Sequence, residues 1–340
     1  MGISKAAPVL EIDGKRLIVK GRWIKIASPE HEEWLESELG DPEGCVAKLK
    51  QPVPLRPRPD ILTFAQKLPA TQPKYTFPIE WDSIAALPTS SHKVWWDKLP
   101  QETRKNVRRS QKRGVVVTAD RLHDRLIEDL VELNNDSPIR QGRRYTHYGK
   151  SVEQVKNDQS SFADRSAFIC AYCGEELVGY MKIVYRGDVA SVLHLLPKAS
   201  QQDKRPANAL INKAVELCEA RGVAYLTFGK FNYGNKRDNP LREFKVRNGF
   251  QEILVPRFYV PLTPWGALCM RAKLHRGLIG ILPHSLITLG GKVRAKWHDC
   301  VKFLRRCSSM LERPNRIRQM ERSIPPAGSK TPDLPQESRT

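Results

Sequence analysis

Three β-rich runs follow one another with almost no slack between them: 167–172, 176–185 and 188–195. A Cys173-Gly174 turn joins the first two, and Arg186-Gly187-Asp188 joins the second to the third. Connections this short can only link antiparallel neighbours, because a parallel return needs a crossover of a dozen or more residues. The middle of the chain is therefore an antiparallel meander, and everything else must be arranged around it. Downstream, Pro206 opens a helix where its missing N–H costs nothing, and Gly222 ends that helix after Arg221. A strand over 223–228, a helix over 241–247 and a strand over 252–262 complete the run. Upstream, Leu99-Pro100 opens a helix at Gln101 that stops near Lys112, marked by Gly114. A strand over 115–118, a helix over 120–133, a polar loop over 134–148 and a helix over 152–162 lead back to the meander. From the helix over 120–133 onward the order is helix, helix, three strands, helix, strand, helix, strand, with no internal repeat.

Residues 1–94 are poorer in regular elements and are expected to be an extension packed on the rest. Alternation over 15–27 predicts strands with a turn near Gly21. An acidic helix is predicted over 30–39, ended by Gly40. A Pro-rich connector, 51–59, precedes the apolar run 61–64.

Hydrophobic residues make up 40% of the 340, enough for a packed core. The net charge is +20 and uneven: between Leu262 and Arg322 there are 13 Lys and Arg against 3 acids. Arg104, Lys105, Arg108, Arg109, Lys112 and Arg113 form a second cluster inside one helix. Such an excess favours polyanionic partners, whether nucleotide phosphates, tRNA, anionic lipid or acidic sugars. The seven cysteines are scattered apart from Cys170 and Cys173, which fits reduced thiols and a cytoplasmic location. No apolar run reaches the ~18 residues a spanning helix needs. Walker, dinucleotide-binding, Gly-x-Ser-x-Gly and zinc-finger patterns are absent, so no metal is expected.

Three local sequences carry a family likeness. Gln202-Asp-Lys-Arg-Pro-Ala-Asn stands at a strand-to-helix junction; Leu241-Arg-Glu-Phe-Lys-Val-Arg-Asn-Gly-Phe closes a later helix; Trp95-Trp-Asp-Lys-Leu leads through a Lys/Arg-rich helix to Arg113-Gly-Val. Together with the element order, they resemble the GCN5-related N-acyltransferase (GNAT) superfamily, closest to its Fem-type, peptidoglycan-bridge branch. The resemblance covers 95–262, about half of the chain. It implies an α+β fold, GNAT-like, with a mixed, mainly antiparallel sheet flanked by helices. An N-terminal β-rich extension would precede it, a basic helical segment (263–322) would follow, and a disordered tail (323–340) would end the chain.

The resemblance also implies roles. In GNAT proteins the strand-to-helix junction holds the pyrophosphate of coenzyme A on backbone N–H groups. Here that assigns Gln202, Lys204, Arg205, Ala207 and Asn208 to the donor, with acyl-CoA as donor substrate. Arg205 replaces the central glycine of that loop, and its guanidinium can itself bind phosphate. Phe244-Lys245 is similar to the Fem-type pair whose lysine steadies charge during acyl transfer. Acyl transfer to an amine also needs a base and an acid. His194, on a central strand between Leu193 and Leu195, suits proton removal near neutral pH. Tyr233 would protonate a leaving group. The polar loop after the second helix, with Asn134, Arg140, Gln141, Arg143, His147 and Tyr148, would bind the acceptor; its arginines suit carboxylate or phosphate.

Three functions fit. The first is an acyltransferase moving an acyl group from acyl-CoA to an amine, such as an amino sugar of a cell-surface polysaccharide precursor. The second is a Fem-type transferase drawing an aminoacyl group from tRNA. The third is a non-catalytic binder of tRNA or lipid on a degenerate scaffold. The basic C-terminal segment, beside an apolar stretch at 274–289, matches peripheral contact with an anionic membrane.

Overall fold

The computed structural model describes residues 7–277, apart from 34, 37, 52–56, 141 and 233–239. What the sequence suggests for 278–340 lies outside the described residues.

Strands β1 (Val9–Ile12) and β2 (Lys15–Lys20) form a hairpin whose turn is Asp13-Gly14. Both residues have positive φ, 52° and 68°, as a two-residue turn matching strand twist requires. Next come β3 (Ile26–Pro29), α1 (Pro42–Lys50), β4 (Ile61–Ala65) and β5 (Ile79–Pro88). They are followed by α2 (His92–Lys98), α3 (Gln101–Lys112), β6 (Val115–Asp120) and α4 (Asp124–Asn135). The polar loop carries a two-residue ribbon, β7 (Ile139–Arg140) and β8 (Arg143–Arg144), and then α5 (Val152–Ser160). The meander is β9 (Ser166–Cys173), β10 (Glu176–Arg186) and β11 (Val189–Pro197). A 3₁₀ stretch, Ala199–Lys204, leads into α6 (Pro206–Ala220). The order closes with β12 (Tyr225–Lys230), α7 (Pro240–Arg247), β13 (Gln251–Pro261) and α8 (Pro264–Arg271).

Eleven of these strands make one sheet, in the order β1-β2-β3-β4-β13-β5-β12-β11-β10-β9-β6. Among the described residues all neighbours are antiparallel except β3–β4 and β11–β12. The protein is thus α+β, with a large, mainly antiparallel sheet flanked by helices. Strict alternation divides the core. Ile169 and Ala171 of β9, with Met181 and Ile183 of β10, pack against Leu210, Ile211, Ala214 and Val215 of α6. Phe168, Cys170 and Tyr180 point the other way, onto Leu126, Ile127 and Leu130 of α4 and Val155 of α5. Cys170 and Cys173 therefore face opposite sides of the sheet, Cys170 toward α4 and Cys173 toward the α6 cluster. A separate cluster joins α1 to the N-terminal strands through Cys45, Val46, Leu49, Leu17, Phe64 and Phe258.

The acidic helix expected over 30–39 is not formed by the described residues there; they turn, with His31 at φ 53°. Its acids are drawn to distant partners instead. Glu32 accepts from the backbone N–H of Ala65, Glu38 from that of Lys67 at 2.7 Å, and Glu36 pairs with Arg165 at 2.6 Å. Backbone donors at a strand end outweigh weak local propensity. The helix lies later, at α1, where Asp41 accepts from the N–H of Gly44 and Pro42 takes the first turn. The expected helix over 120–133 starts later, at Asp124, because β6 extends through Asp120 and His123 supplies the cap.

Candidate active site

β11 and β12 stay together for only three residue pairs, Val189↔Tyr225, Ala190↔Leu226 and Ser191↔Thr227. Beyond them β11 continues to Pro197 beside β10, while β12 keeps to β5, with Lys230 opposite Ile84. The sheet opens between them. Two irregularities cause the parting. Lys182 pairs with His194 but Ile183 with Val192, so Leu193 is an extra residue in β11; β12 shifts register between Thr227 and Lys230. A bulge bends its strand and adds twist. The last tie is a 2.9 Å hydrogen bond between the buried hydroxyls of Ser191 and Thr227.

His194 stands on one lip. Past the bulge it lies opposite Lys182, its ring 6.3 Å from Tyr180 in a stacked arrangement and 6.1 Å from His147 edge-on. His147 lies 3.4 Å from Asp158, which Lys150 also contacts. Burial lowers the His194 pKa to about 4; the ammonium of Lys182 and His147 push the same way, and Asp158 opposes. His194 is therefore neutral at pH 7. Among the described residues no hydrogen bond engages its ring nitrogens.

Lys245 stands on the other. α7 delivers it to β12, where Nζ donates to the carbonyls of Phe228 at 2.5 Å and Lys230 at 2.8 Å and lies 4.6 Å from the Phe228 ring centre. Both residues lie past the last β11–β12 pair. A strand leaving its neighbour exposes carbonyls that must find donors, and the ammonium supplies them. Lys245 is wholly buried, and desolvation lowers its pKa to about 8. The Asn248-Gly249-Phe250 ending holds α7 in place. Gly249 has φ 88°, and a Cβ there would sit 2.8 Å from Trp95 Nε1; that indole donates to the Asn248 carbonyl at 3.1 Å. The lip also borders a cleft of about 720 Å³ lined in part by Gly229, Lys230, Asp82, Glu32 and Arg257. Arg257 bonds Glu32 at 2.9 Å and Asp82 at 2.6 Å, which fixes it as a cation.

The junction that the sequence assigns to the donor has an unusual backbone. Arg205 has φ 56° and ψ 40°, the left-handed conformation usual for glycine, and leads directly into Pro206. Gln202 and Arg205 are exposed and Ala207 half-buried. Lys204 Nζ donates to Cys173 Sγ at 3.1 Å, and Asn208 donates to Asn248 Oδ1 at 2.9 Å, tying the start of α6 to the end of α7. Arg113, at the end of α3, bonds the carbonyl and carboxylate of Asp203 at 2.7 and 2.6 Å. The cations of α3 thus adjoin the start of α6, with Lys105, Arg108, Lys112 and Arg113 exposed.

The loop expected to bind the acceptor is partly taken up by the fold. Arg140 donates to the carbonyls of Pro197 at 2.9 Å and Leu133 at 3.2 Å, and stacks 4.8 Å over Tyr145. Asn134 is buried and accepts from the Tyr145 hydroxyl at 3.0 Å. Arg143 and Tyr148 are exposed, and His147 meets His194. Gln141 and Tyr233 lie outside the described residues. Sequence reasoning passed over Lys182, wholly buried between His194 and the carbonyls of Gln159 and Ser161, at 2.7 and 2.6 Å. Its pKa falls to about 8 by desolvation. The signal was present: one charge inside the apolar strand Leu177–Val184.

No protein-family model matches the sequence, and no curated protein matches it. Solved structures do. The chain is similar to FemX, with 10% identity, 77% of this chain and 89% of that chain covered, and a TM-score of 0.52. It is similar to the C-terminal domain of a protein described as a lysylphosphatidylglycerol synthetase from Agrobacterium fabrum, at 11% identity, 79% and 88% coverage and a TM-score of 0.52. A conserved protein of unknown function from Bacteroides thetaiotaomicron aligns at 13% identity, 75% and 85% coverage and a TM-score of 0.50. The chain thus shares its fold with FemX and with this synthetase domain.

Proposed function

We propose that the protein is a Fem-type acyltransferase that passes an aminoacyl group from tRNA to an amine acceptor. The observation that carries this reading is the opening between β11 and β12, with a neutral imidazole on one side and a buried ammonium on the other. Acyl transfer to an amine needs something to take a proton as the nitrogen attacks, and positive charge for the developing oxyanion. His194 is unprotonated over the whole neutral range and is assigned the first task. Lys245 keeps most of its charge at pH 7 in a desolvated setting, where charge acts more strongly than in water, and is assigned the second.

The choice of tRNA rests on the donor side. Arg205 puts a side chain where the coenzyme A loop has its central glycine, and the exposed cations of α3 lie beside it. A row of cations suits the phosphates of a nucleic acid. One observation favours acyl-CoA as the second reading: the left-handed backbone at Arg205 keeps the turn that presents the first N–H groups of α6. The acceptor in either case is a small molecule or glycan precursor bearing an amine, and the cleft of about 720 Å³ beside β12 has room for one.

Thermal unfolding with charged tRNA, uncharged tRNA and coenzyme A tests the assignment. A rise in midpoint with charged tRNA, exceeding that with uncharged tRNA, is expected. A rise with coenzyme A alone replaces the donor, and no response to any of the three removes the transferase reading.

A further inference from the structure

α8 turns the wrong face outward for a helix in water. Its inner side is fixed by Gly266, where a Cβ would sit 2.1 Å from the Asp60 carbonyl oxygen, and by Cys269, which is fully buried. That leaves Trp265 and Leu268, three residues apart and so on one face, 46% and 55% exposed. Trp265 Nε1 donates to the backbone carbonyl of Trp23 at 3.1 Å, which ties the β2–β3 connection to α8. Trp23, in the connection between β2 and β3, is 83% exposed.

Cations neighbour these apolar side chains along the chain. Arg22 and Lys25 flank Trp23; Arg271 and Lys273 follow Leu268. The nearby acids are engaged elsewhere. Asp60 accepts from the backbone of Lys25 and from the Thr263 hydroxyl, and Glu80 accepts from His275 and Arg276. Among the described residues no carboxylate pairs with the side chains of Arg22, Lys25, Arg271 or Lys273.

We propose that this patch docks the protein on an anionic lipid bilayer, with Trp23, Trp265 and Leu268 entering the interface and the four cations meeting lipid headgroups. Indoles pair an apolar body with an N–H and settle at the headgroup level, where both ends are satisfied. Lysines and arginines around them are drawn to anionic lipid, and neither contribution suffices alone for firm attachment. Attachment of this kind needs no spanning segment, and no helix among the described residues is long and apolar enough to be one. The inference does not depend on the transferase reading.

The test is co-sedimentation of the full chain with vesicles of phosphatidylcholine alone and of phosphatidylcholine mixed with phosphatidylglycerol. Binding to the mixed vesicles only is expected. The Trp23→Ser/Leu268→Ser variant should lower the partition coefficient about tenfold or more, since each side chain loses its transfer out of water. Arg22→Gln/Lys25→Gln should weaken the response to phosphatidylglycerol. Arg22, Trp23 and Leu268 are exposed and Lys25 is half-buried, and an unchanged circular dichroism melt verifies folding. Equal binding to both vesicle types, no binding to either, or variants that partition like the parent would each overturn the proposal.

Discussion

Replacing Lys245 by methionine separates a functional ammonium from a structural one. Methionine keeps the length and removes the charge, so cavity formation, which would add about 2–5 kcal/mol for alanine, is avoided. Lowering the lysine pKa from 10.5 to about 8 means that holding the proton in the folded state costs roughly 3 kcal/mol. Methionine relieves that cost. It also leaves the carbonyls of Phe228 and Lys230 without this donor, a loss of about 1–3 kcal/mol for each one that stays dry. The two effects oppose, so the expected change in unfolding free energy runs from about 1 kcal/mol stabilising to about 3 kcal/mol destabilising when both carbonyls stay dry. Transfer should behave differently: removing a charge aimed at an oxyanion lowers kcat by about 10²–10³. Urea denaturation and single-turnover transfer on the same preparation read both quantities. Near-normal transfer would refute the catalytic role. A loss of stability well beyond this range would show that the lysine serves chiefly to hold β12. The linkage adds a check. Between pH 8 and 10.5 the unfolded chain holds a proton at this lysine that the folded chain has released, so the parent gains stability with rising pH relative to the variant.

Transfer should be steady from about pH 5 to 7, falling below as His194 takes a proton near 4 and above as Lys245 loses one near 8; a pH–rate profile with an acid limb near 6.5 would exclude His194 as base. Because His194 is lowered from 6.5, the unfolded chain takes up the proton first as pH falls, so its burial contributes stability that is lost between pH 6.5 and 4. Lys182→Met removes a positive charge facing His194 and should raise its pKa, visible as an upward shift in the imidazole titration by NMR. Arg205→Gly relieves a left-handed arginine and should leave stability unchanged or raise it by up to about 1 kcal/mol, while weakening tRNA binding. Gly249→Ala forces a Cβ against Trp95 at φ 88° and should cost about 1–3 kcal/mol by calorimetry.

The sequence made the meander legible because Gly174 and Gly187 close turns too short for anything else, and α6 legible because Pro206 and Gly222 punctuate it. β5 escaped notice for a physical reason. Its buried half, Ile84-Ala-Ala-Leu87, contains two alanines and no alternation, since β12 and β13 flank it and both faces are covered. α1 was missed although Asp41-Pro42-Glu43 is a helix start, because the acids before it invited a helix one element too early. For the site, the Asn-Gly-Phe ending led to Lys245 directly. The meeting of His147 with His194 was not readable. It depends on the extra residue at Leu193, and neither bulges nor contacts across 47 residues leave a local pattern.

The most direct test of the account is a crystal structure with a short tRNA acceptor-stem mimic ending in a non-hydrolysable, amide-linked aminoacyl adenosine. The account predicts the acyl carbonyl between β11 and β12, its oxygen toward Lys245 and its stem along the cations of α3. An aminoacyl end bound anywhere else, with the opening between these strands empty, would contradict it.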